Sequence, residues 1–242
     1  MTQNVPMLKE KSEGQLNVTY GGTHVEGQFA YSPVKNWMVV GNSWIDYYLS
    51  HGYSNECGAG YYHLGKSGNE LEVLGLYTSS RQQTHVNASR HNHGLNPIFI
   101  SYPQDFKADY SGYSLQFNAG KHLASHGMQI AISAKYTFLH YTDFYYFITE
   151  GEWNENSKYY SDGGFETDSV YSLKNKNQHM LVMGFTFKLG KGRIKYMAQA
   201  ALHMNLQGEI FRTHIPPFYN PLVISNVLQI GFNVPGKKSK ER

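Results

Sequence analysis

Three observations predict an all-β chain that closes as a single antiparallel up-and-down transmembrane β-barrel of about 10 strands. The first is alternation. In the stretch 127–138, GMQIAISAKYTF, the even positions Met128, Ile130, Ile132, Ala134, Tyr136 and Phe138 are apolar, and the odd positions Gln129, Ala131, Ser133, Lys135 and Thr137 are small or polar. The second is length: an apolar row of about ten residues is what a tilted strand needs to cross a hydrocarbon layer roughly 30 Å thick. The third is the distribution of connections. Those near 32–36, 65–69, 120–126 and 190–192 are short, and those near 47–55, 81–109, 144–176 and 206–221 are longer, with Gly21-Gly22-Thr23 the exception. A barrel in an outer membrane sorts its connections this way, into short periplasmic turns and long extracellular loops.

The totals agree. The chain has 242 residues, 40% of them hydrophobic, and a mean hydropathy of −0.49; no run approaches the 18 or so apolar residues of a spanning helix, which excludes helical insertion. A membrane barrel tolerates a low average because its lumen-facing residues are polar. Tyr is abundant at 20 residues against 3 Trp, which suits twisted strands and interfacial girdles. The formal charge of +3 is small, with the excess in Lys237, Lys238, Lys240 and Arg242, so nucleic acid is not an expected partner. The lone Cys57 excludes a disulfide framework and a Cys-rich zinc site, and reads as a small apolar residue, buried or facing lipid. Met1 leads directly into Thr-Gln-Asn-Val-Pro with no targeting segment, which fits either a cytosolic chain or one whose export signal has been removed; the barrel reading takes the second. No linker is visible, so 1–242 is taken as one domain.

In order, residues 1–13 read as a periplasmic lead-in, followed by a strand from about Gly14 to Gly21. A tight turn leads to a strand with Val25, Phe29 and Tyr31 opposite Glu26 and Gln28, a hairpin by turn and pattern. The strand from Trp37 to Asp46 is apolar on both faces, and its orientation stays open. Residues 56–64 form the next strand. The one after it carries Leu71, Val73 and Tyr77 on one face, but Leu74 and Leu76 spoil the polarity of the other. The segment 81–109, with Asn87, Arg90, His91, His93, Pro97 and Pro103, reads as a long polar loop. Tyr113, Leu115 and Phe117 alternate with Ser114, Gln116 and Asn118 before the stretch described first; a second loop follows at 144–176. The last three strands place Leu181, Met183, Phe185 and Phe187, then Ile194, Tyr196, Ala198, Ala200 and Leu202, then Leu228, Ile230, Phe232 and Val234 on their apolar faces. Residues 235–242 are a basic tail.

The bilayer reading assigns Met128, Ile130, Ile132, Tyr136, Phe138, Leu181, Met183, Phe185 and Phe187 to lipid, and Gln129, Ser133, Lys135, Lys195 and Gln199 to the lumen, with Gln28, Gln116 and Gln229 on the same inner side. Tyr47, Tyr48, Tyr77, Tyr141, Phe144, Tyr145, Tyr146 and Phe147 bunch where strands meet loops and read as an interface girdle. Lys135, Lys195, Glu26 and Glu72 are expected to pair inside a bore too narrow for large solutes.

The lead-in Asn4-Val5-Pro6-Met7-Leu8-Lys9-Glu10-Lys11 with Glu13 and Gln15, the step Phe29-Ala30-Tyr31-Ser32-Pro33 and the run Glu56-Cys57-Gly58-Ala59-Gly60-Tyr61-Tyr62 resemble the small outer-membrane β-barrel proteins of Bacteroidota. The similarity extends over most of the strand-forming chain and is weak in the two long inserts. Members often carry a lipidated cysteine just upstream of the Asn-Val-Pro lead-in. The resemblance therefore implies export, an outer-membrane location and a possible lipid anchor; it implies no common activity.

Catalytic chemistry has few footholds. Asp105, Asp109, Asp143 and His140 fall near strand ends and have the residue types that omptin-like surface proteases use to polarise water, without a matching motif. Ser89-Arg90-His91-Asn92-His93 has the residue types of a lipid A deacylase but not the His-x-Ser-Asn order of that enzyme class, and His91 and His93 alone are a weak metal site. No catalytic, cofactor or metal residue is assigned and no cofactor is expected. The preferred reading is a non-enzymatic barrel in contact with outer-membrane lipid or lipopolysaccharide, an accessory subunit of a larger outer-membrane complex or a surface-binding protein; the alternative is a hydrolase with its site at the extracellular rim.

Overall fold

The computed structural model describes residues 3, 5–20, 24–46, 52–91, 99–123, 127–150, 167–173, 175–190, 194–206 and 222–233, and side chains within these except 84–106, 145–150, 167–173, 205, 222–229 and 231–233. Every regular element among them is a strand: β1 (Glu13–Tyr20), β2 (His24–Val34), β3 (Trp37–Asp46), β4 (Gly52–Leu64), β5 (Asn69–His91), β6 (Phe99–Leu123), β7 (Met128–Glu150), β8 (Thr167–Leu173), β9 (Lys176–Leu189), β10 (Ile194–Asn205) and β11 (Leu222–Asn233).

Sequential strands pair antiparallel from β1 to β7, β7 continues to β9, β9 to β10 and β10 to β11, and β11 returns to β1 with Glu13 opposite Asn233 and Val18 opposite Leu228. That return closes a ring of ten strands and leaves no sheet edge within it, the condition for placing backbone in hydrocarbon. β8 is an addition: β9 pairs with β7 from Met128 to Tyr141, and β8 takes the same edge from Phe144 to Glu150. Among the described residues, tight turns at 35–36 and 65–68 lie at the end where β1 begins. At one of them Gly68 has φ +78°, and its carbonyl accepts from the His122 N–H at 2.8 Å, so a Cβ there would be strained and would strike the next strand.

Period two gives every ring strand an outer and an inner face. On β7, Ile132 is 63% exposed on the outside and Ser133 is 5% exposed on the inside. Tyr136, Met183 and Phe185 are likewise exposed, Met128, Ile130, Phe138, Leu181 and Phe187 are half-buried on the same outer face, and Gln129, Lys135 and Gln199 are buried within; Lys195 lies inward and half-buried. The distribution inverts that of a water-soluble protein: Gln116, Thr186, Glu72 and Lys188 are fully enclosed, and Trp37, Leu71, Phe117 and Ile194 stand out. Cys57 is exposed on this outer wall. Trp37 packs edge-on to Tyr61 near the tight-turn end, and Tyr77 lies against Tyr113 nearer the other.

Three sequence-based expectations change. The segment 81–109 is not a loop: β5 and β6 stay paired from Asn69–Lys121 to His91–Phe99, so only 92–98 lies outside the described residues. Likewise β7 runs on to Glu150 and β8 occupies part of the insert 144–176. The β5–β6 extension carries no alternating apolar row, and the β7 extension is aromatic or aliphatic at every position from Phe144 to Ile148, so alternation gives no sign of either. Pro103 fits because, among the described residues, β6 is paired to β7 only as far as Gln104 and has β5 as its one neighbour beyond it. The girdle assignment changes as well. Thr142 is an extra residue in β7, between Tyr141 opposite Tyr110 and Asp143 opposite Asp109, and this bulge reverses the alternation above it. Tyr141 already points inward, and the reversal turns Phe144 inward too, so both are buried rather than displayed to an interface. Tyr47, Tyr48, His93, Trp153 and residues 235–242 lie outside the described residues, as do the side chains of Tyr145, Tyr146, Phe147 and Gln229. The third change concerns the lead-in.

Candidate functional site: an occupied lumen

The lead-in expected outside the barrel lies inside it. Gln3, Val5, Met7 and Leu8 are all buried, and Glu13 begins the wall at the tight-turn end, so the segment runs inward and up the bore. Leu8 sits in an apolar cluster with Ala30, Met38, Val40, Tyr62, Leu74 and Leu76 on the inner faces of β2 to β5. Val5 and Met7 pack on Ala131. This accounts for the two strands whose faces were ambiguous: Met38, Val40, Leu74 and Leu76 are apolar inside because an apolar segment lies against them, while Trp37, Val39, Leu71 and Val73 are apolar outside.

Wall side chains satisfy the segment's backbone. The Met7 N–H donates to Glu72 Oε1 at 2.8 Å, and Lys188 Nζ donates to the carbonyls of Val5 at 2.6 Å and Pro6 at 3.0 Å. Higher up, the Gln3 N–H donates to Gln199 Oε1 at 3.0 Å, Gln199 Nε2 donates to the Gln3 carbonyl at 3.2 Å, and the Gln3 side chain joins Val182 and Ser133. Gly184 and Gly120 make room, since a Cβ on either would collide with Gln3 or with Met7. Glu72 also accepts from Asn118 Nδ2 at 2.7 Å. The expected lumenal pairing therefore forms with other partners: Glu72 holds the lead-in, Glu26 accepts from Asn42 at 2.9 Å, and Lys135 is paired with Glu56.

Above Gln3 the bore widens into a cavity of about 220 Å³, lined by Glu56, Lys135, Thr78, Thr137, Tyr110 and His203 among others. Thr78 Oγ1 donates to Glu56 Oε2 at 2.9 Å, the oxygen that also takes Lys135. Glu56 Oε1 and His203 Nε2 have no hydrogen-bond partner among the described residues. An apolar collar of Ala108, Leu139, Tyr141 and Phe144, with Tyr110 and Met180 against it, lies on the inner face above; Tyr141 meets Tyr110 with ring centres 5.2 Å apart.

The catalytic candidates are elsewhere. Asp109 and Asp143 form an ionic row with Arg81 and Lys107: Arg81 Nε–Asp109 at 3.2 Å, Lys107 Nζ–Asp143 at 2.7 Å and Lys107 Nζ–Asp109 at 3.9 Å. The hydrogen bond and charge of Asp143 hold the Lys107 ammonium above its ordinary range. His140 Nδ1 instead contacts Asn177 Oδ1 at 2.8 Å. Each carboxylate is thus matched by a cation, and the His140 ring is engaged by Asn177. The side chains of Ser89, Arg90, His91 and Asp105 lie outside the described residues, and among the described residues no group of three or more metal-binding side chains forms.

No protein-family model matches the chain, and no curated protein does. Among solved structures, it is similar to the translocator domain of the autotransporter NalP from Neisseria meningitidis, at 11% identity and a TM-score of 0.46, over 92% of this chain and 86% of that one. The fold is established by this chain's own strand pairing: a closed ten-stranded β-barrel, apolar outside, polar inside and occupied by its own amino-terminal segment.

Proposed function

We propose that this chain is an outer-membrane β-barrel that acts through its surface, as a binding protein or accessory subunit, and not as an enzyme. The exposed apolar belt supports this location: a ring with Leu71, Phe117, Ile132, Phe185 and Ile194 outward and carboxylates and ammoniums inward has its lowest free energy where hydrocarbon meets the outer wall. The row Arg81, Lys107, Asp109 and Asp143 marks where the wall leaves the bilayer for the headgroup layer, and lipopolysaccharide is a partner of suitable charge there.

The observation that carries the surface role is the strand wall. Among the described residues β4 begins at Gly52, opposite Asp46 of β3, and β5 continues ten residues past Arg81 with β6 as its one paired neighbour. Those ten residues span roughly 30 Å. Backbone N–H and C=O groups along such an edge are available to an added strand from a partner polypeptide. A hydrolase needs a carboxylate free to take a proton, and Asp109 and Asp143 are neutralised by Arg81 and Lys107.

The test compares the full chain with a variant in which a two-residue Asn-Gly turn replaces 84–106, joining Gln83 to Lys107, which are already opposite one another. Both are purified from native membranes. The proposal expects both to show a folded, heat-modifiable band and the full chain alone to co-purify with a stoichiometric partner. Recovery of the full chain as a bare monomer would contradict it.

A further inference from the structure

The amino-terminal segment is held unlike any strand of the barrel. The ring closes through β1–β11 pairing without it, and among the described residues it makes no backbone ladder with the wall. Among the described residues its backbone is held by the side chains of Glu72, Gln15, Lys188 and Gln199, with Gln3 reaching the Val182 carbonyl. The wall around it is not built as a dry core. Asn17 Oδ1, Glu56 Oε1, Glu70 Oε1, Gln129 Oε1 and Gln178 Oε1 are buried inner-wall atoms without a hydrogen-bond partner among the described residues, groups that hydrate readily once water enters.

We propose that the segment bearing Gln3, Val5, Pro6, Met7 and Leu8 is a displaceable plug and that the lumen it fills is a conduction path for small hydrated ions. Eight strands make a bore that side chains just fill, and sixteen an aqueous channel; at ten strands the spare cross-section is that of one extended peptide, about 5 by 10 Å. That is what the segment occupies. The bond donors and acceptors that grip it, Lys188, Gln199 and Glu72, are the groups that would line the vacated path, and the cavity beside Glu56 and Lys135 is already open above it. The described inner wall carries four carboxylates, Glu26, Glu56, Glu70 and Glu72, against three ammoniums, Lys135, Lys188 and the half-buried Lys195, a small acidic excess by which the open path favours cations.

The inference needs the barrel to sit in a bilayer but does not depend on the partner-binding role. Three forms are reconstituted in planar bilayers of phosphatidylcholine in potassium chloride: the full chain, a variant lacking residues 2–8, and the full-length double variant Lys188→Met, Gln199→Leu. Insertion is scored separately by heat-modifiable mobility and protease protection, so failure to enter the bilayer is told apart from failure to conduct. The full chain is expected to show brief, rare openings; the truncated form a mean conductance higher by about tenfold or more; and the double variant an intermediate value. A synthetic peptide of residues 1–12 should re-block the truncated form, and its reversal potential in a salt gradient should have the sign of potassium preference. An inserted truncated form conducting no more than the full chain would overturn the proposal, as would a truncated channel indifferent to the peptide.

Discussion

The ring and the wall it raises are built from the same strands and obey different physics. In the ring each strand is paired on both sides, and each face has its own environment, so a one-residue slip would exchange apolar for polar along a whole strand. Along β5 above Arg81 one edge pairs with β6, and among the described residues the other has no strand. The ring supplies stability and location; the wall supplies surface. Perturbations should separate the two.

The largest effect is expected at Gly58, where β4 crosses close to β5: a Cβ there would run into the Gly75 carbonyl and the Leu76 side chain. Gly58→Val should abolish the heat-modifiable folded band. Ile132→Lys places a charge on the outer wall and should lower stability by as much as about 4 kcal/mol, read from urea unfolding in lipid vesicles. Within the lumen, Glu56→Leu strands Lys135 and should cost about 3 kcal/mol, while the double replacement Glu56→Leu, Lys135→Met should cost less, because it leaves no unpaired charge. In the wall, replacing 84–106 by a turn should leave the ring's unfolding midpoint close to that of the full chain.

The smallest effect is expected at Lys107. Because Asp143 raises its pKa, any stabilisation it gives is complete below the ordinary lysine value of 10.5 and is lost only as pH rises through the raised value. The side chain is exposed and screened, so Lys107→Ala should leave urea unfolding at neutral pH unchanged.

The same contrast explains what could be read from the residues alone. Alternation identifies a strand only where its two sides meet different solvents, and the ring strands from Met128 to Phe138 and from Leu181 to Phe187 were visible for that reason. Above Arg81, Gln82-Gln83-Thr84-His85 carries no periodic signal despite being strand, and Phe144 to Ile148 is aromatic or aliphatic at every position and so does not alternate either. The inward turn of Phe144 depends on one inserted residue, Thr142, which the composition of β7 does not single out. The plug was the least legible feature, yet it left a trace: Met38, Val40, Leu74 and Leu76 are apolar on faces where a water-filled bore would prefer polar groups, and Leu8 is what they contact. Inner-face apolar residues on adjacent strands of a barrel point to an occupant.

The central claim is that one face of the ring meets hydrocarbon and the other meets a filled polar lumen. Its most direct test is a cysteine scan of residues 131–138 in a Cys57→Ala background, each site carrying a small fluorophore in vesicles of brominated-chain lipid. Quenching should alternate, strong at 132, 134, 136 and 138 and weak at 131, 133, 135 and 137. Uniform quenching, or none at the even positions, would contradict it.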